Sequence, residues 1–257
     1  FDDFYTYWYD KQAMSLPILG TRTSLKNLTR EQILDYKKRF YQPENMLIVA
    51  SGNLEHDKIL KEVKKYFNKI PARKKKLVKS ESKDLEKRFC QRLIKPSEQC
   101  HMLFGFPSSS YRDGVFYEAA AVNTYLGGGG TSLLYQDLRE NNPLCYSVYS
   151  MFAPMKNNGA FLIYIGTDDK HAYKVSKKMK EHLIQIKKHG IPVNELKLIK
   201  EKWLRSVQLQ NEDLDSRMNQ VLQDAVLDRD YRSFKNISDG IKKIDSTSVS
   251  KYIKNYF

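Results

Sequence analysis

Apolar residues recur along this chain at two intervals, and the intervals sort it into helices and strands. After Thr29, the residues Ile33, Leu34, Tyr36 and Phe40 fall on one helical face. Thr29 and Gln32 stand at capping-box spacing, so a helix is expected to start there and to stop before Pro43. "NMLIVASG" is a short apolar run between turn residues and predicts a buried strand. Asn53 to His56 turn into a second helix ending near Ile70 and Pro71. The first segment reads as helix–strand–helix.

From Ala72 to Lys87 the pattern lapses into charge with almost no large apolar residue, the composition of a solvated linker. Beyond it, "RFCQRLIKP" and "EQCHMLFGFPS" predict two strands joined by a tight turn at Pro96 and Ser97. Helical patterns follow at 112–126 and 131–140. Then come strands in "LCYSVYSMFAP" and "AFLIYIGTD", separated by a turn with an Asn158-Gly159 hairpin signal. From Lys170 onward the chain reads helical, with Pro192 as a first-turn proline and a turn near Asn211 to Asp213. This order predicts an α+β fold, with helices on one face of an antiparallel-rich sheet.

Composition narrows the function. The 257 residues hold 44 basic and 30 acidic side chains, a net charge of +14. Most of the basic residues are lysines spread along helical stretches, where they read as solvated faces, and no aromatic-interleaved basic motif points to nucleic acid. No apolar run approaches a membrane span. Cys90, Cys100 and Cys145 are odd in number and form no C-x-x-C pair, which suits a reducing compartment, cytoplasmic or other. The chain opens on "FDDFYTYWYD" without an initiator Met and stops at "KYIKNYF" straight after a helical pattern, so both ends are expected to be cut.

Candidate chemistry centres on "LGGGGTSLLYQDLRENNPLCYSVYS", residues 126–150. The glycines Gly127, Gly128, Gly129 and Gly130 resemble a phosphate loop, but Thr131 occupies the position of the P-loop lysine and a helix, not a strand, precedes them. No G-x-S-x-G elbow occurs, and Cys145 reads as a small buried strand residue. The five histidines, His56, His101, His171, His182 and His189, form neither H-E-x-x-H nor H-x-x-E-H, so no helix offers a zinc site. His182 and His189 are seven apart among lysines, and His101 is expected to pack beside the sheet. Arg139 and Tyr146 remain. A guanidinium can clamp a peptide carboxylate or carbonyl, and a phenol can donate to an oxyanion. Spacing alone favours an exposed helical arginine and a strand tyrosine packed in the core.

The order of these pieces resembles the M16 metallopeptidases (pitrilysin-type, inverzincins), which include the mitochondrial processing peptidases. "ILGTRTSLKNLTREQILDYKKRFYQPENMLIVASGNLEHDKILKEVKKYF" is similar to the end of the family's first domain. "LGGGGTSLLYQDLRENNPLCYSVYS" is similar to its second-domain core, and "NELKLIKEKWLRSVQLQNEDLDSRM" to its late helix pair. The resemblance implies a LuxS/MPP-like fold, divided as 1–71 for the C-terminal part of a first domain, 72–87 for a charged linker and 88–257 for a second, zinc-less domain. It implies a zinc endopeptidase in the full-length protein that cleaves peptides or presequences. This chain would lack the metal motif, would bind no zinc and would be inactive alone. Arg139 and Tyr146 match the second-domain residues that reach the substrate, and Gly127 to Gly130 match the glycine-rich stretch. Asn142 replaces a usual basic residue and Pro143 a usual glycine, which bears on how the turn holds Arg139 relative to Tyr146. The partners implied are a peptide substrate and an M16-type subunit or second copy, with no nucleic acid and no membrane. The alternative is a non-catalytic M16-type partner or scaffold that binds peptides.

Overall fold

Among the described residues, three strands make the sheet around which the second half of the chain folds: β1 (Cys100–Ser108), β2 (Ser147–Pro154) and β3 (Gly159–Thr167). The computed structural model describes residues 1–10, 12–70, 89–94, 97–227 and 232–257. β3 is central and pairs antiparallel with both neighbours, in the order β1-β3-β2. The β2–β3 hairpin closes where Asn158-Gly159 predicted it, with Met155 N–H donating to the Asn158 carbonyl at 2.7 Å and Pro154 opposite Gly159.

Period-two alternation gives each strand an inner face, and the register lines these up in rows: Met102–Ile165–Val148, Phe104–Ile163–Ser150 and Phe106–Phe161–Phe152. Against this face pack α5 (Phe116–Gly127), α7 (Asp169–His189) and α11 (Ser246–Tyr256). Their contribution to the core includes Ala121, Val122 and Leu126 from α5, Val175 and Met179 from α7, and Val249 and Ile253 from α11. Alanine-rich α5 has little side chain to hold it away from β2, so it approaches closely. α8 (Val193–Glu212), α9 (Leu214–Val226) and α10 (Phe234–Lys243) complete the helical layer. Asp245 and Ser248 form a capping box on α11, and Pro192 stands as the cap immediately before α8 rather than inside its first turn.

The outer face of the sheet is also partly covered. α1 (Asp2–Tyr9) lays Phe4 and Trp8 over Gly105 and Phe1 over Tyr164, with ring centroids of the last pair 5.9 Å apart. A side chain at position 105 would collide with the Phe4 ring.

Several sequence expectations are corrected here. The helix placed over 112–126 begins at Phe116, because Ser110 N–H donates to Asp113 and Arg112 N–H to Ser110 in a turn before it. The stretch placed at 131–140 is not one α-helix but a short α6 (Leu133–Tyr135) running into a π-helical turn at Gln136–Asn141. α3 (Arg30–Phe40) begins at the Thr29–Gln32 capping box as expected, and α4 (His56–Phe67) follows. "NMLIVASG" between them is not a buried strand. It pairs with no strand among the described residues, and Leu47 and Ile48 are exposed. Phe89–Ile94 likewise forms no strand. A strand exists only with a neighbour to take its N–H and C=O groups, and none lies alongside these runs among the described residues. α2 (Arg22–Lys26), α3 and α4 bury no side chain. The charged linker at 72–87 and Pro96 lie outside the described residues.

Candidate functional site

The glycine run does two physical jobs. Gly127 ends α5 against β2: a Cβ there would sit 2.7 Å from Ser150 Oγ, 2.8 Å from the Tyr149 carbonyl carbon and nearer still to the Ser150 nitrogen. Gly129 takes a φ of +138°, which a side chain would strain. The loop they form is tied down by its own downstream residues. Ser132 Oγ donates to the Gly129 carbonyl and Gln136 Nε2 to the Gly130 carbonyl, each at 2.6 Å. Gly127 is buried, whereas Gly128, Gly129 and Gly130 are exposed.

The loop leads into the π-helical turn that carries Arg139. Asn142 N–H donates to the Asp137 carbonyl five residues back at 3.1 Å, the wide spacing that defines such a turn. Asn142 Nδ2 reinforces it, donating to the same carbonyl at 3.0 Å and to Asp137 Oδ1 at 2.8 Å. The Asn142 side chain thus adds two bonds to the backbone bond that closes the turn. The Asp137 carboxylate also accepts from Lys178 Nζ at 3.0 Å to each oxygen and from His182 Nε2 at 2.7 Å. Burial pushes the Asp137 carboxyl up, but the hydrogen bonds from His182 and Lys178 and the charges behind them prevail and hold it below the usual range. Arg139 itself is exposed, with its guanidinium 4.9 Å from the centre of the Tyr135 ring.

Three residues after Pro143 the chain reaches Tyr146. It does not pack in the core, as spacing alone favoured, but is 54% exposed. Its N–H donates to the Gly166 carbonyl at 2.9 Å, and its hydroxyl donates to both oxygens of Asp168 at 3.1 Å. That hydrogen bond, with the negative charge behind it, raises the phenol above its ordinary value. Asp168 opens α7 yet makes no capping bond, because its carboxylate is turned to Tyr146. Tyr146 thus stands at the entrance to β2, which pairs with β3 alone among the described residues, and Arg139 lies on the turn that contacts β2, with no direct hydrogen bond between the two among the described residues. Between them, Cys145 is buried. Burial pushes its thiol up against the opposing pull of Arg139, as suits a packing residue.

Sequence reasoning missed Asp137 and Asp168. A usable signal for the first was Lys178 and His182, four apart on one face of α7. Two of the histidines have polar partners within the chain. His182 pairs with Asp137, and His101 pairs through Nδ1 with the Tyr164 hydroxyl at 2.8 Å, beside the sheet. Zinc does not fit the described residues: no group of three or more His, Cys, Asp or Glu side chains converges among them. No described helix is long and apolar enough to cross a membrane.

Fold and site together define a helix-rich α+β domain, with an exposed cation and phenol at a sheet edge and no metal-ligand cluster among its described residues. The chain belongs to the M16 peptidase family: the model described as the peptidase M16 inactive domain matches residues 27–202. It is 28% identical over 253 residues to the uncharacterized zinc protease YmxG of Bacillus subtilis, covering 97% of this chain and 60% of that protein. It is 28% identical over 223 residues to an uncharacterized zinc protease of Streptomyces coelicolor, covering 83% and 48%. The chain therefore spans about half to three-fifths of the length of these relatives. Among solved structures, a protease from Helicobacter pylori matches with a TM-score of 0.87 at 18% identity, over 95% of this chain and 60% of that one. A chain of complex III2 from Candida albicans matches with a TM-score of 0.84 at 16% identity, over 99% and 62%. At these identities the likeness is one of fold, and the last shows that this fold also occurs as a subunit of a large assembly.

Proposed function

We propose that this chain is the substrate-side part of a zinc-dependent endopeptidase that cleaves peptides or presequences, with Arg139 and Tyr146 as the residues that engage the peptide. The observation that carries the reading is the exposure of both side chains, Tyr146 at the entrance to β2, whose outer edge has no paired strand among the described residues, and Arg139 on the turn that contacts β2. An extended peptide laid along that edge would run past both. Arg139 would hold a peptide carbonyl or carboxylate, and Tyr146 would donate to the carbonyl oxygen as it gains charge. To do so the Tyr146 hydroxyl exchanges one acceptor, Asp168, for another. The metal implied by the relatives' names would be held by the part of the protein outside this chain. An M16-type partner or second copy fits this reading, and three free cysteines fit a reducing compartment.

The test is Arg139→Ala and Tyr146→Phe in the whole protein, scored on tryptic casein peptides by mass spectrometry. Loss of one such donor is expected to lower kcat by about 100-fold to 1,000-fold. Unchanged turnover in both variants refutes the assignment. A second reading, a non-catalytic binding or scaffold subunit, is favoured by the match to a chain of complex III2. It predicts that the same variants lose peptide affinity in a protein that cleaves nothing.

A further inference from the structure

Arg139 forms no ion pair among the described residues, and its guanidinium rests on the Tyr135 ring. Its location is therefore set by the backbone that carries it. That backbone is a π-helical turn, a geometry that is unfavourable in itself and persists where its surroundings over-determine it. The surroundings are specific. Asp137, two residues before Arg139, accepts from Asn142 across the turn and from Lys178 and His182 on α7, which lie 41 and 45 residues away in sequence. The three charged or chargeable groups are only about a quarter exposed, with side-chain values of 23% for Asp137, 27% for Lys178 and 21% for His182. Desolvating such groups is a poor way to gain stability, and an apolar contact of the same volume does as well or better. What the network supplies is geometry: it clamps both ends of the turn, 137 and 142, and fastens the turn to the longest helix of the domain.

We propose that Asp137, held by Lys178, His182 and Asn142, is the positioning residue that fixes Arg139 for the bound peptide. The proposal rests on the reading that Arg139 engages substrate, and it adds a residue that touches no substrate itself. Lys178 and His182 act through Asp137, and Asn142 closes the turn by bonding both the carbonyl and the carboxylate of Asp137.

The test is a double-mutant cycle in the whole protein with zinc bound, using a quenched-fluorescent version of one casein peptide that it cleaves. Rates are normalised to active sites. Asp137→Asn is expected to lower kcat/KM about threefold to thirtyfold when Arg139 is present, and to cost nothing further in the Arg139→Ala background. A purely structural role for Asp137 gives losses that multiply in the two backgrounds, and that result overturns the proposal. So does a full-rate Asp137→Asn enzyme when Arg139→Ala is slow. If Arg139→Ala itself runs at the wild-type rate, the substrate reading falls and takes this proposal with it, a different signature from failure of the positioning role alone. Should Asp137→Asn fail to fold, Lys178→Met carries the same cycle, since it removes two contacts to Asp137 and leaves those from His182 and Asn142.

Discussion

Replacing Gly127 with alanine tests the claim that the glycine run exists to let α5 close on β2. The added methyl would sit 2.8 Å from the Tyr149 carbonyl carbon and 2.7 Å from Ser150 Oγ. Ordinary contact begins near 3.4 Å, so helix and strand must separate by at least 0.6 Å, the difference between 3.4 and 2.8. Strand β2 cannot yield cheaply, because it is laddered to β3 through Tyr149–Tyr164 and Ser150–Ile163. Helix α5 must therefore lift, and it carries fully buried Ala121, Val122 and Leu126 with it. Overpacking of this kind costs about 1–3 kcal/mol. In a protein of this size that lowers Tm by about 2–12 °C, at about 2–4 °C per kcal/mol. Gly130→Ala is the control: its methyl would meet only Tyr135 Cε1, at 3.9 Å, and should change stability by no more than about 0.5 kcal/mol. Thermal melts and urea midpoints of the two variants in the whole protein decide the matter. If Gly127→Ala melts with the wild type, or Gly130→Ala falls as far, the close-approach argument is wrong.

Two further outcomes are expected. Asp224 is 1% exposed and accepts from Arg232 through Nη2 and Nε at 2.9 Å and through its N–H at 3.0 Å. Arg232→Met should cost about 3 kcal/mol by leaving a buried carboxylate without its cation, and Asp224→Asn in the same chain should recover part of the loss in urea unfolding. Full stability in Arg232→Met would show that the pair contributes nothing. The second outcome concerns acid. Asp137 titrates below its unfolded value, so its contribution is fully present above the ordinary aspartate pKa of about 4 and is lost as pH falls through the lower, folded pKa. The stability gap between wild type and Asp137→Asn should thus be widest near neutral pH and should shrink in acid. A gap that widens on acidification contradicts the assigned direction.

Much of this architecture was legible in the sequence because it is encoded locally. The capping box at Thr29 and Gln32 starts α3, the Asn158-Gly159 pair turns the β2–β3 hairpin, and the helical run after Lys170 forms as α7 to α11. The order of motifs was likewise enough to point to the M16 family, which the match over 27–202 shows. The two strands that do not form share a cause. "NMLIVASG" has the composition of a strand, but composition supplies no neighbouring backbone, and Phe89–Ile94 fails for the same reason. Tyr146 was misread because alternation continues past the end of a ladder only while the pairing stays regular. Here its N–H bonds to Gly166, whose partner in the ladder is Ser147, so its side chain leaves the core pattern.

The sequence by itself determined the elements, their caps and turns, and the presence of Arg139 and Tyr146 at the helix-to-strand junction. Those properties follow from dihedral preferences and from periodicity within a few residues. Tertiary structure alone decided what surrounds the two residues. It set the π-helical turn under Arg139, stabilised by side chains on α7 some forty residues on, and it set the Asp168 carboxylate that engages Tyr146 from the start of the same helix. The physical reason is that a carboxylate's partners are chosen by distance in space, and packing of α7 against the sheet brings those distances to about 3 Å.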